Sequence, residues 1–135
     1  MNKFAAFGVS DEGISRMTFV NPNTDKPYID KDGKEAWIDV HHFHGPEGRA
    51  FDLANERKPI NPRPGFTREN SYNIAKMAAL TKAWYLVGAD GEPIANMPCN
   101  ETIAAELYEN RWVFGQVLVH ATAYVNFTPA KLNGS

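Results

Sequence analysis

The chain has 135 residues, 43% of them hydrophobic and 12% aromatic, enough for one domain that buries roughly two thirds of its unfolded surface. Its 14 basic and 16 acidic residues leave a net charge of −2, which removes the electrostatic reason to bind nucleic acid through phosphates. The single cysteine, Cys99, has no partner for an internal disulfide or a CxxC pair, the first residues are too poor in apolar run for a signal peptide, and no stretch reaches the roughly 18 apolar residues of a membrane helix, so a cytoplasmic setting is expected.

In chain order, residues 1–15 read as an N-terminal arm, with Phe4, Phe7 and Val9 scattered among glycine and small residues. Arg16–Val20 and Ala36–Phe43 are rich in β-branched and aromatic residues. They flank a polar connector holding Asn21-Pro22-Asn23-Thr24, Pro27 and Asp32-Gly33, which is the composition of a β-hairpin. On its second strand Trp37, Asp39, His41 and Phe43 alternate with Ile38, Val40, His42 and His44. Neither face is wholly apolar, so one is expected to be only partly buried. Pro46–Arg57 suits a short helix with Pro46 in its first turn and Phe51 and Leu53 as anchors. Three prolines and a glycine in residues 58–66 exclude a helix interior or a central strand there. Thr67 then caps a helix expected to reach about Trp84, in which Ile74, Met77, Leu80 or Thr81, Trp84 and Val87 recur at helical spacing.

Ala89-Asp90-Gly91 signals a turn. Beyond it Asn100 is an N-cap, with Glu101 meeting the positive end of the following helix dipole. Ile103, Ala104, Leu107 and Tyr108 make a helical stripe that Val113, Phe114, Val117, Leu118, Ala121, Tyr124 and Val125 continue. Val117, Val119, Ala121, Ala123, Val125 and Phe127 also alternate at period two. The length of the segment favours two helices broken near Asn110-Arg111, with a strand over residues 113–127 as the alternative. The fold expected is α+β: an N-terminal β-hairpin followed by a small bundle of three to four helices, one domain over residues 16–127, and a tail at 128–135.

Several constellations bear on chemistry. His41, His42 and His44, near Asp39 and Glu47, are metal-ligand types, but on a strand only His42 and His44 share a face, and a half-exposed strand whose imidazoles meet water is the better account of them. Asp30-Lys31-Asp32-Gly33 has the look of a calcium loop, yet Tyr28 would fall at its first ligand position and Asp39 where a bidentate glutamate belongs, so a hairpin turn suffices. There is no GxSxG, HExxH, P-loop or dinucleotide fingerprint, and Cys99 has no neighbouring base in sequence. No enzyme, metal or other cofactor is expected on these grounds. Asn100-Glu101-Thr102 and Asn126-Phe127-Thr128 fit the glycosylation pattern but lack an export signal to make it relevant. Trp84, Trp112, Phe114 and Phe127 remain as core or interface aromatics. Trp112 follows Glu109-Asn110-Arg111 at the expected helix break, where a large ring beside charged groups suits an interface anchor.

Trp84, then Asp90-Gly91-Glu92-Pro93, Pro98, Asn100, Leu107-Tyr108-Glu109-Asn110, Trp112 to Gln116-Val117 and Asn126-Phe127 appear in an order that resembles the small tail assembly chaperones of tailed bacteriophages. In the other half, Phe19-Val20-Asn21-Pro22-Asn23-Thr24, Lys26-Pro27, Asp32-Gly33 and His44-Gly45-Pro46 are similar to that family's opening hairpin and the Gly-Pro turn after it. The likeness runs from Arg16 to Phe127. It departs from the family at Glu47-Gly48, where Asp-Ser is usual, and in the proline-rich 58–66 stretch. The resemblance implies a non-enzymatic protein of the infected host cytoplasm, absent from the mature virion, that binds the tape-measure protein and helps tail-tube protein polymerise around it. It implies neither a nucleic acid nor a membrane partner, and it is compatible with a homo-oligomer. Partner-binding residues expected on this reading are Trp84, Leu107, Tyr108, Trp112, Phe114 and Phe127. The rival expectation is a minor structural protein retained in the tail or neck of the virion.

Overall fold

The β-branched residues at the start of the described chain form the first strand. In this computed structural model, which describes residues 13–58 and 60–128, β1 (Ile14–Thr18) pairs antiparallel with a strand at Trp37–His41, from Ile14 opposite His41 to Thr18 opposite Trp37. The expected hairpin is therefore present. Its connector folds back on itself as a two-residue ladder, β2 (Val20–Asn21) with β3 (Lys26–Pro27), making Trp37–His41 strand β4. The Asn21 side chain accepts from the Asn23 N–H at 2.9 Å, and Asp25 takes a positive φ of 58°, which aspartate tolerates better than most residues. The expected arm at residues 1–15 lies outside the described residues up to residue 12, and Ile14 and Ser15 already belong to β1.

The stretch resembling a calcium loop is a turn. Asp30 Oδ1 accepts from the backbone N–H of both Asp32 and Lys34 at 2.9 Å, Gly33 supplies a φ of 83°, and Tyr85 donates its hydroxyl to Asp30 Oδ2 at 2.6 Å. Those bonds hold the Asp30 carboxyl below the usual carboxylate range, with the Tyr85 bond first, and push the Tyr85 phenol up to about 12.

Helix α1 (Pro46–Asn55) has proline in its first turn, as expected. Phe51 anchors it edge-on against Tyr72, with centroids 5.4 Å apart. Leu53 is no anchor: it is 71% exposed, on the side of α1 away from the core. Helix α2 (Arg68–Ala79) starts at the Thr67 cap, whose hydroxyl accepts from the Asn70 N–H at 3.1 Å. It stops five residues before Trp84, and this corrects the sequence expectation. The N–H of Leu80 closes the helix onto Lys76 and Met77 carbonyls, and Thr81–Tyr85 becomes strand β5, paired antiparallel with β4. Threonine, tryptophan and tyrosine in that stretch suit a strand, and the partner strand decides between two local preferences. The sheet order is thus β1-β4-β5.

The Asn100 side chain accepts from the Ile103 N–H at 2.9 Å and opens α3 (Glu101–Leu107); α4 (Arg111–Thr122) and a 3-10 turn at Tyr124–Phe127 complete the chain. Residues 113–127 are helical or 3-10 apart from Ala123, with the break at Tyr108–Asn110. The fold is α+β, a β-hairpin followed by four helices with a third strand between α2 and α3. Its core takes Ile38 and Val40 from β4, Ile74 and Met77 from α2, Ala104 and Tyr108 at α3, and Val117 and Ala121 from α4. The opposite sheet face is half-buried as expected, with the Arg16 guanidinium 3.6 Å from the Trp37 ring centroid and paired with Asp39 at 2.8 Å.

Helices α1 and α2 are joined by a charged contact. The Lys76 side chain, 4% exposed, reaches Asp52 at 3.0 Å and lies 4.1 Å from the Phe43 ring centroid; Tyr72 donates to the other Asp52 oxygen at 2.5 Å. Burial alone would raise the Asp52 carboxyl, but the bonds from Tyr72 and Lys76 outweigh it and hold it below the ordinary value. The folded pKa is depressed, so this stability is present above the unfolded value of about 4 and is lost as pH falls through the folded one. Asp52→Asn should flatten that acid limb of a urea-midpoint against pH profile, by about 1 kcal/mol or less because Asp52 is half exposed to screening water.

Two helical glycines should respond to alanine with opposite sign. A Cβ on Gly48 would overlap the Phe43 carbonyl oxygen, so Gly48→Ala is expected to destabilise by about 1–3 kcal/mol. Gly115 in α4 has nothing within 4 Å of such a Cβ, so Gly115→Ala should stabilise by about 0.5–1 kcal/mol through helix propensity. Urea denaturation of the two variants checks both signs.

Candidate functional site

The turn between α3 and α4 aims the most exposed tryptophan. Asn110 Nδ2 donates back to the Leu107 carbonyl at 3.0 Å, and the Asn110 carbonyl accepts from Phe114 N–H at 3.0 Å, so one residue ends α3 and begins α4. Farther along, the Gln116 amide grips the Val20 backbone twice: Val20 N–H donates to Oε1 at 3.1 Å and Nε2 donates to the Val20 carbonyl at 2.7 Å. At the far end Phe43 N–H bonds the Ala121 carbonyl at 2.8 Å. These ties, with Ser15 Oγ of β1 2.9 Å from His120 Nε2, fix α4 along β1 and β2 and bring the Trp112 ring to Tyr28, centroids 5.8 Å apart.

Beneath Trp112 lies a pocket of about 150 Å³ lined by Phe19, Tyr28, Leu86, Ile94 and Leu107 among others, none of them charged. Trp112 is 42% exposed at its mouth and Ile94 46%. A cavity of this size and lining accepts a ring about as large as benzene, because water gains too few polar partners inside. The pocket therefore suits one apolar side chain. Along the same face of α4, Gly115 and the 70% exposed Val119 follow Trp112 at i+3 and i+7, and Tyr124 and Val125 are also exposed.

The six residues expected at a partner surface separate into different environments. Trp112 is exposed and Leu107 lines its pocket. Phe114 is half-buried against Tyr108, centroids 6.0 Å apart. Trp84 is half-buried in β5, with its Nε1–H donated to the Met97 carbonyl at 2.8 Å. Tyr108 and Phe127 are fully buried core residues and are corrected accordingly: no partner touches them while the domain is folded. Burial pushes the Tyr108 phenol well above its ordinary range, and its hydroxyl meets Thr81 Oγ1 at 2.5 Å. Tyr28, Ile94, Gly115 and Val119 were not anticipated at this surface. Val119 carried a readable signal, lying seven residues after Trp112; Tyr28 and Ile94 arrive only through the tertiary fold.

Of the two histidines sharing a strand face, His42 is fully buried, its ring tilted against those of Tyr124 and Phe127 with centroids 4.3 and 4.7 Å away. Its Nδ1 accepts from the His44 N–H at 2.9 Å, which commits that lone pair. Among the described residues no group of three or more His, Cys, Asp or Glu side chains is placed to hold a metal ion. The Cys99 thiol is pushed up by burial first and by the Asp39 charge second, which lowers its reactivity. No described helix is long and apolar enough to cross a membrane. No protein-family model matches the chain, and no curated protein or solved structure matches it.

Two variants separate core from surface roles at Tyr108. Thr81 Oγ1 also donates to the Met77 carbonyl at 2.8 Å, so Tyr108 is the donor to Thr81. Tyr108→Phe removes one bond and should cost about 1 kcal/mol, whereas Thr81→Val strands a buried phenol and should cost about 1–3 kcal/mol. Denaturation of both singles and the double variant, with the double less than additive, is the expected result.

Proposed function

We propose that this chain is a bacteriophage tail assembly chaperone, a non-enzymatic protein that binds the tape-measure protein in the infected cell and promotes polymerisation of tail-tube subunits around it. The observation that carries the reading is the uncharged pocket under the half-exposed Trp112, continued along α4 by Gly115 and Val119. A tape-measure chain presents apolar helical stripes until the tube encloses them. A small domain with one ring-sized pocket and an apolar helix face is suited to cover such stripes by helix-in-groove contact. The pocket takes one anchoring side chain; the α4 face lies against the next turns of the partner helix. Repeated binding along the rod makes many weak contacts sufficient. The order of residues from Arg16 to Phe127 that resembles the chaperone family supports the same reading. In it, Trp112 and Leu107 contact the partner, Phe114 and Trp84 buttress that surface, and Tyr108 and Phe127 hold the core beneath it.

Trp112→Ala should weaken tape-measure binding by about tenfold or more, the size of an interface hot spot, while its thermal midpoint stays close to that of the parent chain. A loss of binding no larger than the loss of folding stability would take the site away from Trp112. Quantitative mass spectrometry of infected lysate and of purified particles then tests the role: co-purification with the tape measure and absence from particles is expected. A fixed copy number in particles would make the chain a minor structural protein of the tail or neck.

A further inference from the structure

The free edge of β1 has a definite hydrogen-bonding register. Phe19 N–H bonds the Ala36 carbonyl at 3.2 Å, and the β1–β4 pairing runs Arg16 opposite Asp39 and Met17 opposite Ile38. In an antiparallel ladder the hydrogen-bonded pairs alternate, so Ser15, Met17 and Phe19 face β4, and the backbone groups of Arg16, Thr18 and Val20 point outward. At Val20 the outward N–H and C=O are both taken by the Gln116 amide, which bonds them as a neighbouring strand would. At Arg16 and Thr18 no group of the described chain does so. Beside them runs a shallow groove of about 530 Å³ whose floor includes Met17, Gly115, Val119 and Ala123 and carries no formally charged side chain. The polar groups in its walls are already engaged: His120 Nε2 with Ser15 Oγ at 2.9 Å, Asn126 Nδ2 with the His120 carbonyl at 3.0 Å.

We propose that this edge is a strand-addition site for an extended, uncharged segment of a partner protein. The segment would pair with the outward N–H and C=O groups of Arg16 and Thr18, next to the amide pairing that Gln116 makes at Val20. Alternate side chains, small or β-branched, would lie on Gly115 and Val119, and the others would face water beside Arg16. The missing Cβ at Gly115, with nothing within 4 Å of where it would be, leaves room for such a chain to lie close to α4. A second copy of this protein fits less well. Helix α4 packs against β1, so edge-to-edge pairing with a copy brings its α4 onto the same sheet face about one strand spacing away, roughly 4.8 Å. Packed helices need about 8–10 Å. The occupant is therefore a strand with no helix attached at that point, and this site stands independently of helix capture at Trp112.

The test is amide hydrogen exchange on the full chain, with and without a blocked peptide alternating valine and threonine between two terminal lysines. Without peptide, the amides of Arg16 and Thr18 should exchange rapidly while those of Ser15 and Met17 are protected. At millimolar peptide the first two should slow by about tenfold or more. Val119→Lys, which puts a charge on the groove floor, and Thr18→Pro, which removes an outward N–H together with the Thr18 hydroxyl bond to Glu35, should each abolish that slowing. Both variants must retain the parent's protection at Met17. No slowing at Arg16 and Thr18, or slowing that survives both variants, overturns the proposal. Protection already present in dilute protein means the chain covers its own edge, and protection that grows with protein concentration alone assigns the edge to a second copy; either also overturns it.

Discussion

A single buried hydroxyl holds the junction on which the rest of the molecule depends. Thr81 Oγ1 donates to the Met77 carbonyl and meets the Tyr108 hydroxyl, tying the last turn of α2, the first residue of β5 and the end of α3 at one point. The bond to Met77 gives a second donor to a carbonyl at the helix end that otherwise has only the Leu80 N–H at 3.2 Å. It is made by a β-branched residue already set in an extended conformation. The helix therefore turns directly into a strand, and that strand extends the hairpin to a three-stranded sheet. Tyr108, held from the other side, fixes where α3 stops. Asn110 then restarts the chain as α4 and sets the direction of Trp112. An unpartnered hydroxyl at this depth would be costly, so the three elements are positioned together.

The same junction explains which parts of the fold were legible in the sequence. The hairpin, the Thr67 and Asn100 caps, the proline in α1 and the break before α4 are local matters, settled by residues within a few positions of one another. Thr81–Tyr85 was not, because Trp84 continues the spacing of Ile74 and Met77 and only the presence of β4 makes a strand the better outcome. Leu53 shows the converse: an apolar residue with no element opposite its face is left in water. Aromatic residues were readable as important but not as to role. Tyr108 and Phe127 are as apolar in sequence as Trp112, and what separates them is whether a neighbouring element covers the ring. The pocket itself draws on residues from Phe19 to Val113, a span no local pattern reports.

Helix α4 departs from the usual arrangement of a surface helix. Its sequence, Arg111–Thr122, contains one formal charge, at Arg111, and apart from Gln116, His120 and Thr122 is otherwise apolar or glycine. A helix of that composition is normally covered all round, yet here only the stripe of Val113, Val117 and Ala121 is buried by the domain. Val119 gains little from the fold that displays it, and Trp112, though it packs on Tyr28, leaves 42% of its surface exposed. Their exposure costs roughly 25 cal/mol for each Å² of apolar surface left in water, a penalty that a partner's surface would relieve.

Gln116 has a second consequence for this helix. A sheet edge left open invites pairing with any extended chain, and proteins blunt such edges with charge, proline or a covering element. Here the Gln116 amide closes the edge at Val20, and Arg16, held over Trp37 by Asp39, sets a charge beside the open part without occupying it. Along α4, Trp112 lies by the pocket, Gln116 at the closed end of the edge and Val119 by its open stretch. One helix thus borders two surfaces of different shape, a ring-sized hole and a strand-width groove. They are separated by an amide whose hydrogen bonds are already made. On the readings proposed above, a partner helix would gain from the hole, and an extended segment would gain from the groove and the outward backbone groups beside it. Such a discrimination would follow from where the strand edge is already bonded, at Val20 in β2, and where it is open, at Arg16 and Thr18 in β1.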